Sequence, residues 1–196
     1  VSNWCRPEEW RARSVGRPLP RIEQRIVDPA NGGTVADGEE GEVQMRGPNV
    51  MRGYYKLPNE SAAAFTEDGF FRTGDIGRFD RDGHLSITGR LKEMLIIGGE
   101  NVFPREIEEV LNRHPSISAS GVIGIADPMR GEQALAFVEL EEGATFDARA
   151  LTTWCREHLA AFKVPREIRC LDKLPRNPTG KILRRELKKL AANAPE

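Results

Sequence analysis

Long apolar runs are missing from this chain, and so is any excess of charge of one sign. No stretch approaches the roughly 18 to 20 consecutive apolar residues that a membrane-spanning helix needs. The net charge of -1 gives the molecule as a whole no bias toward nucleic acid or anionic lipid, so any anion must be held by a local cluster. Cysteine is scarce: Cys5, Cys155 and Cys170 are an odd, scattered three, with no CxxC pair and no histidine at metal-ligand spacing. They read as reduced cytosolic thiols, two of them in the core, and no metal cage is encoded. The three histidines, His84, His114 and His158, stand far apart. His158 falls on an apolar helix face, and each histidine reads as core or surface. The opening "VSNWCRPEEW" shows neither a basic segment followed by an apolar one nor a small-residue cleavage site, which argues for a cytoplasmic protein. It also starts without methionine, in polar irregular chain, as an excised piece of a longer polypeptide would.

What is present is the balance of a globular protein: 39% hydrophobic and 30% charged residues in a chain of 196, enough for one larger domain or two small ones with a real core. The first 90 residues are rich in turns and short strands. "RIEQRIVD" and "GEVQMRG" alternate apolar and polar positions around an "NGG" turn. "PNESAAAFTEDG" holds a short helix capped by Asn59 or Ser61, and "FFRTGDIGRFD", "RDGH" and "LSITGR" follow as strand, turn and strand. This predicts a small antiparallel, barrel-like sheet over residues 1–90.

After Arg90 the pattern changes to that of a compact α+β domain over 91–196. "LKEMLIIGGENVFP" reads as a strand and a glycine turn. Pro104 opens a helix with Ile107, Val110 and Leu111 on one face and glutamates near its positive end. "SISASGVIGIAD", "EQALAFVELEEG" and "REIRCLD" read as strands. Leu151, Trp154, Cys155, His158 and Leu159 line a second helix. Leu183, Leu187 and Leu190 stripe a last one, whose other face carries Arg184, Arg185, Lys188 and Lys189.

Four stretches place glycine and charge as a site would. "RTGDIGRF" presents the Asp75 carboxylate on a tight turn, and a fixed carboxylate can accept two hydrogen bonds from a vicinal diol such as a ribose. "TGRLKEMLIIGGEN" sets Arg90 at the domain junction with Lys92 beside it. Gly98 and Gly99 let backbone approach a ligand. "NPTGK" puts Lys181 on a turn made by Pro178, Thr179 and Gly180. Each has a plainer reading as a turn former or a solvated face; their joint occurrence in this order carries the functional one. A phosphate loop is excluded, because Pro175 and Ile182 stand where its first glycine and its Ser or Thr belong. No dinucleotide fingerprint is present. Nucleic-acid binding would rest on the basic last helix alone, against a neutral net charge and few aromatics.

The stretches "SVGRPLP", "GEVQMRGPNVMRGYY", "DGFFRTGDIG", "GRLKEMLIIGGENVFPREIEEVL" and "KLPRNPTGKILRREL" resemble the adenylate-forming acyl-CoA synthetases, a family that includes luciferases and peptide-synthetase adenylation domains. The resemblance runs from Ser14 to Leu190 and implies the end of the large N-terminal domain followed by the mobile C-terminal domain. It implies Lys181 as the cation that touches both the acid and the α-phosphate, Asp75 and Arg90 as nucleotide contacts, and Lys92 as hinge. Gly98 and Gly99 would line the pantetheine tunnel, Gly99 the more direct contact, with Lys163 near coenzyme A phosphates. The implied substrates are ATP, coenzyme A and a carboxylic acid, a fatty acid foremost. Magnesium would come with ATP, its ligand outside this chain, and so would the rest of the adenylating domain. The isolated chain is expected to be inactive. "GIADPMRGEQALAFVEL" and "NPTGKILRREL" favour the coenzyme A type over an adenylation domain serving a carrier protein or a luciferase-like monooxygenase. A non-catalytic nucleotide-binding module is the alternative of a different class.

Overall fold

Alternating side chains and closely spaced turns in the first part of the chain produce six short strands: β1 (Asn3–Trp4), β2 (Ser14–Pro18), β3 (Glu23–Val27), β4 (Gly41–Arg46), β5 (Phe71–Phe79) and β6 (Leu85–Arg90). The computed structural model describes residues 2–193, and the chain divides into two compact units between Lys92 and Glu93.

In the first unit the strands form one antiparallel sheet in the order β1-β2-β6-β5-β4-β3. Its outermost strands meet through a reciprocal amide pair. Gln24 Nε2 donates to Asn3 Oδ1 at 2.7 Å, and Asn3 Nδ2 donates to Gln24 Oε1 at 3.2 Å. Two edges six strands apart touch only if the sheet curls, so the unit is barrel-like, and the side-chain bridge covers edges that would otherwise be open. Ile26, Val43 and Leu85 fill the inside. Phe70, which leads into β5, lies under the Arg25 and Arg46 guanidiniums at 4.0 and 4.6 Å. Arg25 also grips Asp68, whose hydrogen bonds to it and to Thr66 pull the carboxyl from 3.8 down to about 2. The short helix α1 (Pro58–Ala64) is opened by Pro58 rather than capped by Asn59 or Ser61. The Ser61 hydroxyl instead donates back to the Leu57 carbonyl at 2.7 Å and accepts from the Tyr54 amide at 2.8 Å. Proline preset for the first helical turn makes a side-chain cap unnecessary.

The second unit contains β7 (Leu95–Ile97), β8 (Glu100–Val102), α2 (Pro104–Leu111), β9 (Ile117–Asp127), β10 (Gly131–Leu140), α3 (Ala148–His158), β11 (Glu167–Cys170) and α4 (Arg184–Ala192). β10 pairs with β9 along its whole length, and its other edge serves β11, in parallel, and β7, at Gly131. Its apolar run "ALAFV" splits with period two. Ala134, Ala136 and Val138 face the core under α2 and α3, while Leu135 and Phe137 join Ile123, Leu174 and Leu187 on the opposite side. Gly121 on β9 permits that second layer, since a Cβ there would stand 2.8 Å from Leu187. Cys155 is core, and burial pushes its thiol up to about 11. Asp147 caps α3, accepting from the amides of Arg149 and Ala150.

Three readings of helix faces change. Leu190 is exposed, and Leu187 is the buried leucine of α4. His158 is exposed, stacked on Trp154 with ring centroids 4.1 Å apart. Arg184 does not belong to the solvated basic face. Its guanidinium donates to both Glu108 oxygens at 2.8 and 2.9 Å and to the Val122 carbonyl at 3.2 Å, and pairs with Glu93 at 2.9 Å. One side chain thus joins the first residue of the unit to α2, β9 and α4. Burial raises the Glu108 carboxyl above the usual range, against the opposing pull of Arg184.

Replacing Arg184 by Met should cost the second unit about 3 kcal/mol in urea unfolding, because it leaves Glu108 charged and half enclosed without its partner. Glu108 titrates higher folded than unfolded, so its contribution is full below the unfolded value and is lost as pH rises through the folded one. With Arg184 gone the carboxyl is pushed higher still, so the deficit of Arg184→Met should shrink as pH is lowered through the titration of Glu108. A deficit independent of pH would detach it from Glu108.

Candidate functional site

Asp75 owes its position to a bulge in β5 rather than to a free turn. Opposite β4 the pairing jumps from Glu42 with Ile76 to Gln44 with Arg72, so three β5 residues face Val43 alone. The surplus is absorbed at Gly74, whose φ of 66° only glycine adopts readily. Thr73 pins the bulge: its hydroxyl donates to the Val43 carbonyl at 2.6 Å and accepts from the Asp75 amide at 3.0 Å. Buried Glu42 holds the other side, accepting from the Gly74 amide at 3.2 Å. Asp75 then pairs in register with Arg90 on β6, with Arg90 Nε 2.6 Å from Asp75 Oδ1. The carboxylate is half-buried, the guanidinium exposed. An ion pair so open to water is worth about 0–1 kcal/mol, so a diol or phosphate could replace either partner at small cost. Beside it, a cavity of about 240 Å³ is walled by Thr73, Asp75, Asn3, Val43, Leu85 and Ile87 among others. The two residues singled out for the nucleotide are therefore cross-strand neighbours.

In the second unit, Lys181 is exposed on the turn that precedes α4. Leu183 N donates to Pro175 O at 2.8 Å and Arg176 bridges Ile182, so the segment doubles back on itself. Gly180 completes the reversal with a φ of 85°. The turn is held from within by Asn177. Its carboxamide oxygen accepts from Thr179 N at 3.0 Å, Thr179 Oγ1 at 2.8 Å and Lys181 N at 2.9 Å. From outside, Arg176 Nη1 donates to the Gly180 carbonyl at 3.2 Å. Among the described residues no carboxylate pairs with the Lys181 ammonium.

Gly98 and Gly99 form the two-residue connection of the β7–β8 hairpin, with φ values of 62° and 88°. Both positive, these angles define the hairpin turn that demands glycine, and a Cβ at either position would meet nothing within 4 Å. The hairpin alone accounts for both residues. Gly98 N donates to Arg130 O at 2.9 Å, so the turn rests against the β9–β10 tip. That tip helps line a cavity of about 610 Å³ with Asp127, Arg130, Arg156, Phe162 and Arg166 among its walls. Asp127 accepts from the Met129 and Arg130 amides and from Arg166, and those bonds, the Arg130 amide first, hold its carboxyl below the usual range. Three arginines against one aspartate leave the cavity a positive surplus suited to an anion. Lys163, next to Phe162, is committed to Glu106, with Nζ 2.7 and 2.9 Å from its two oxygens. Lys92 is exposed at the boundary between the units. Among the described residues no group of three His, Cys, Asp or Glu side chains could hold a metal ion, and no helix is long and apolar enough to cross a membrane.

Residues 1–55 match the family model of the AMP-binding enzymes, and residues 106–181 match that of the AMP-binding enzyme C-terminal domain. The chain belongs to the AMP-binding enzyme family. The chain is 42% identical over 186 residues to a sulfoacetate–CoA ligase of Cupriavidus necator, covering 95% of this chain and 36% of that protein. To a 2-succinylbenzoate–CoA ligase of Geobacillus kaustophilus it is 45% identical over 177 residues, covering 90% and 36%. The crystal structure of ATP-bound MatB from Rhodopseudomonas palustris superposes with a TM-score of 0.87 at 36% identity, over 92% of this chain and 36% of that one. This chain thus spans a little over a third of the length of these AMP-binding enzymes.

Sequence patterns missed Glu42 and Asn177, whose roles depend on which backbone groups they meet. For Asn177 a signal existed, since Asn-Pro-Thr-Gly is a side-chain-capped turn in waiting. If Thr73 holds the bulge that presents Asp75, Thr73→Val should cost the first unit about 1–3 kcal/mol and move the amide resonances of Gly74 and Asp75, with Thr73→Ser restoring both. Unmoved resonances in Thr73→Val would assign the bulge to Gly74 and Glu42 alone.

Proposed function

We propose that this chain is the C-terminal part of an acid–CoA ligase that activates a carboxylic acid with ATP and passes the acyl group to coenzyme A. The observation that carries the reading is Lys181: an exposed ammonium on a turn whose Thr179, Gly180 and Lys181 amides are all hydrogen-bonded to Asn177, in a chain that belongs to the AMP-binding enzymes. In the first half-reaction a carboxylate oxygen attacks the α-phosphorus of ATP, the α–β anhydride bond breaks and pyrophosphate leaves. The acid is already ionised near neutral pH, so the obstacle is the approach of two anions rather than removal of a proton. A cation held against both lowers that barrier by positioning and by offsetting charge in the transition state. Lys181 is given that role. Asp75 would accept the ribose hydroxyls, and Arg90, released from Asp75, would reach sugar and phosphate with its planar fork.

In the second half-reaction the thiol sulfur attacks the acyl carbon, the bond to AMP breaks and the thiol proton is lost to solvent. The arginine-lined cavity suits the phosphates of coenzyme A. Lys163 would join them only on leaving Glu106. The glycine hairpin at Gly98–Gly99 would line the approach of the pantetheine arm, and Lys92, at the boundary of the units, is the proposed pivot between the two half-reactions. The acid pocket and any magnesium ligand are placed in the rest of the adenylating domain. The acids named for the relatives, sulfoacetate and 2-succinylbenzoate, support a carboxylic acid in general and favour no fatty acid in particular.

The test is acid-dependent ATP–pyrophosphate exchange with a panel of acids, by this chain alone and mixed with the separately produced remainder of the adenylating domain. The chain alone should be silent and the mixture active. Lys181→Ala should lower exchange by about 100- to 1000-fold while sparing thioester formation from supplied acyl-adenylate. Exchange by the chain alone would overturn the placement of the nucleotide site. Silence in a folded, associated mixture would favour a non-catalytic module.

A further inference from the structure

Lys181 is held at both of its main-chain groups by a single residue. Its amide donates to Asn177 Oδ1 at 2.9 Å, and its carbonyl accepts from the Asn177 amide at 2.9 Å. The Asn177 carbonyl takes the Gly180 amide at 2.9 Å, and Oδ1 takes both donors of Thr179 as well. We propose that Asn177 is the positioning residue of Lys181, its carboxamide oxygen fixing the point from which the ammonium departs. This rests on the reading of Lys181 as the cation of adenylate formation.

Pro178, Thr179, Gly180 and Lys181 are all exposed, so the turn encloses no apolar surface whose burial would require a defined conformation. A turn of that kind is ordinarily mobile. Here three donors within five residues converge on one oxygen, and the two backbone amides among them settle that the oxygen, not the nitrogen, of the carboxamide faces inward. The backbone pairing between Asn177 and Lys181 could be made by any residue. The side-chain part needs an sp² oxygen two bonds beyond Cβ, which Asn and Asp supply and Ser or Leu do not. A lysine already has four rotatable carbons between its backbone and its charge. Freedom at the Cα as well would multiply the volume the ammonium explores, and displacement of a charged group by about 1 Å can cost on the order of 100-fold in rate. Arg176 and the Gly180 carbonyl provide an outer brace, but that bond does not touch Lys181 itself.

The experiment compares Asn177→Leu, Asn177→Asp and Lys181→Ala in the adenylating enzyme reassembled from this chain and the remainder of its domain, and follows amide hydrogen exchange of Lys181 in the 196-residue chain. Asn177→Leu should lower kcat for pyrophosphate exchange by about 10- to 100-fold with KM for ATP little changed. It should leave thioester formation from supplied acyl-adenylate intact and speed hydrogen exchange at the Lys181 amide. Asn177→Asp, which keeps the acceptor, should restore the slow hydrogen exchange and part of the rate. A kcat within about threefold of wild type for Asn177→Leu, or an equal loss in both half-reactions, would overturn the positioning role. Were Asn177→Leu to unfold the second unit, Asn177→Ser, too short to reach all three donors, decides by the same two readouts. Full exchange activity in Lys181→Ala would instead sink the functional reading beneath the proposal, so the two failures are told apart.

Discussion

A strand has two hydrogen-bonding edges, and β10 must serve three partners with them. Because β9 takes one edge entirely, β11 and β7 divide the other, one along Leu135–Val138 and the other at Gly131. β10 is also covered on both faces, and its short apolar run supplies alternate residues to two separate cores. The rest of the second unit follows from that burden. α2 and α3 lie on one face and α4 on the other. Between β11 and α4 the chain stays on the α4 side, with Leu174 and Ile182 both packed in the cluster of Leu187, and Lys181 stands on the exposed turn between them. The polar network of Arg184 ties the start of α4 to α2 and to Glu93.

The first unit answers a different constraint with a different device. A sheet whose edges meet must curl, and curling is introduced where strands carry surplus residues. The bulge at Thr73–Asp75 is one such place. The irregularity that bends β5 is also what turns the Asp75 carboxylate toward Arg90, and Gly74, Thr73 and Glu42 hold it there. Curvature and presentation of the carboxylate share one cause.

Much of this was legible from residue order. The strands, the helix opened by Pro104, and the buried positions Ile107, Val110 and Leu111 follow from period and punctuation, which are local. Asp75, Arg90 and Lys181 are marked by glycine beside a charged residue, yet only Lys181 lies on a turn: Asp75 sits at a bulge within β5 and Arg90 ends β6. The misreadings share a physical origin. Ser61 looks like a cap, yet Pro58 sets the helix start. Arg184 looks solvated beside Arg185, yet a carboxylate 76 residues earlier reaches it. Leu190 sits at leucine spacing, yet it stays exposed. Each depends on which distant surface arrives, and helical periodicity is silent on that.

By itself the sequence determined the class of fold, the places where backbone reverses, and that Lys181 stands on one of those reversals, because propensity, proline and glycine act within a few residues. Only the tertiary structure decided which groups meet. It made Asp75 and Arg90 neighbours through strand register, gave Lys163 to Glu106, drew Arg184 inward and let β10 serve two cores. Register, burial and ion pairing are set by the packing of segments far apart in the chain, and no local pattern encodes that outcome.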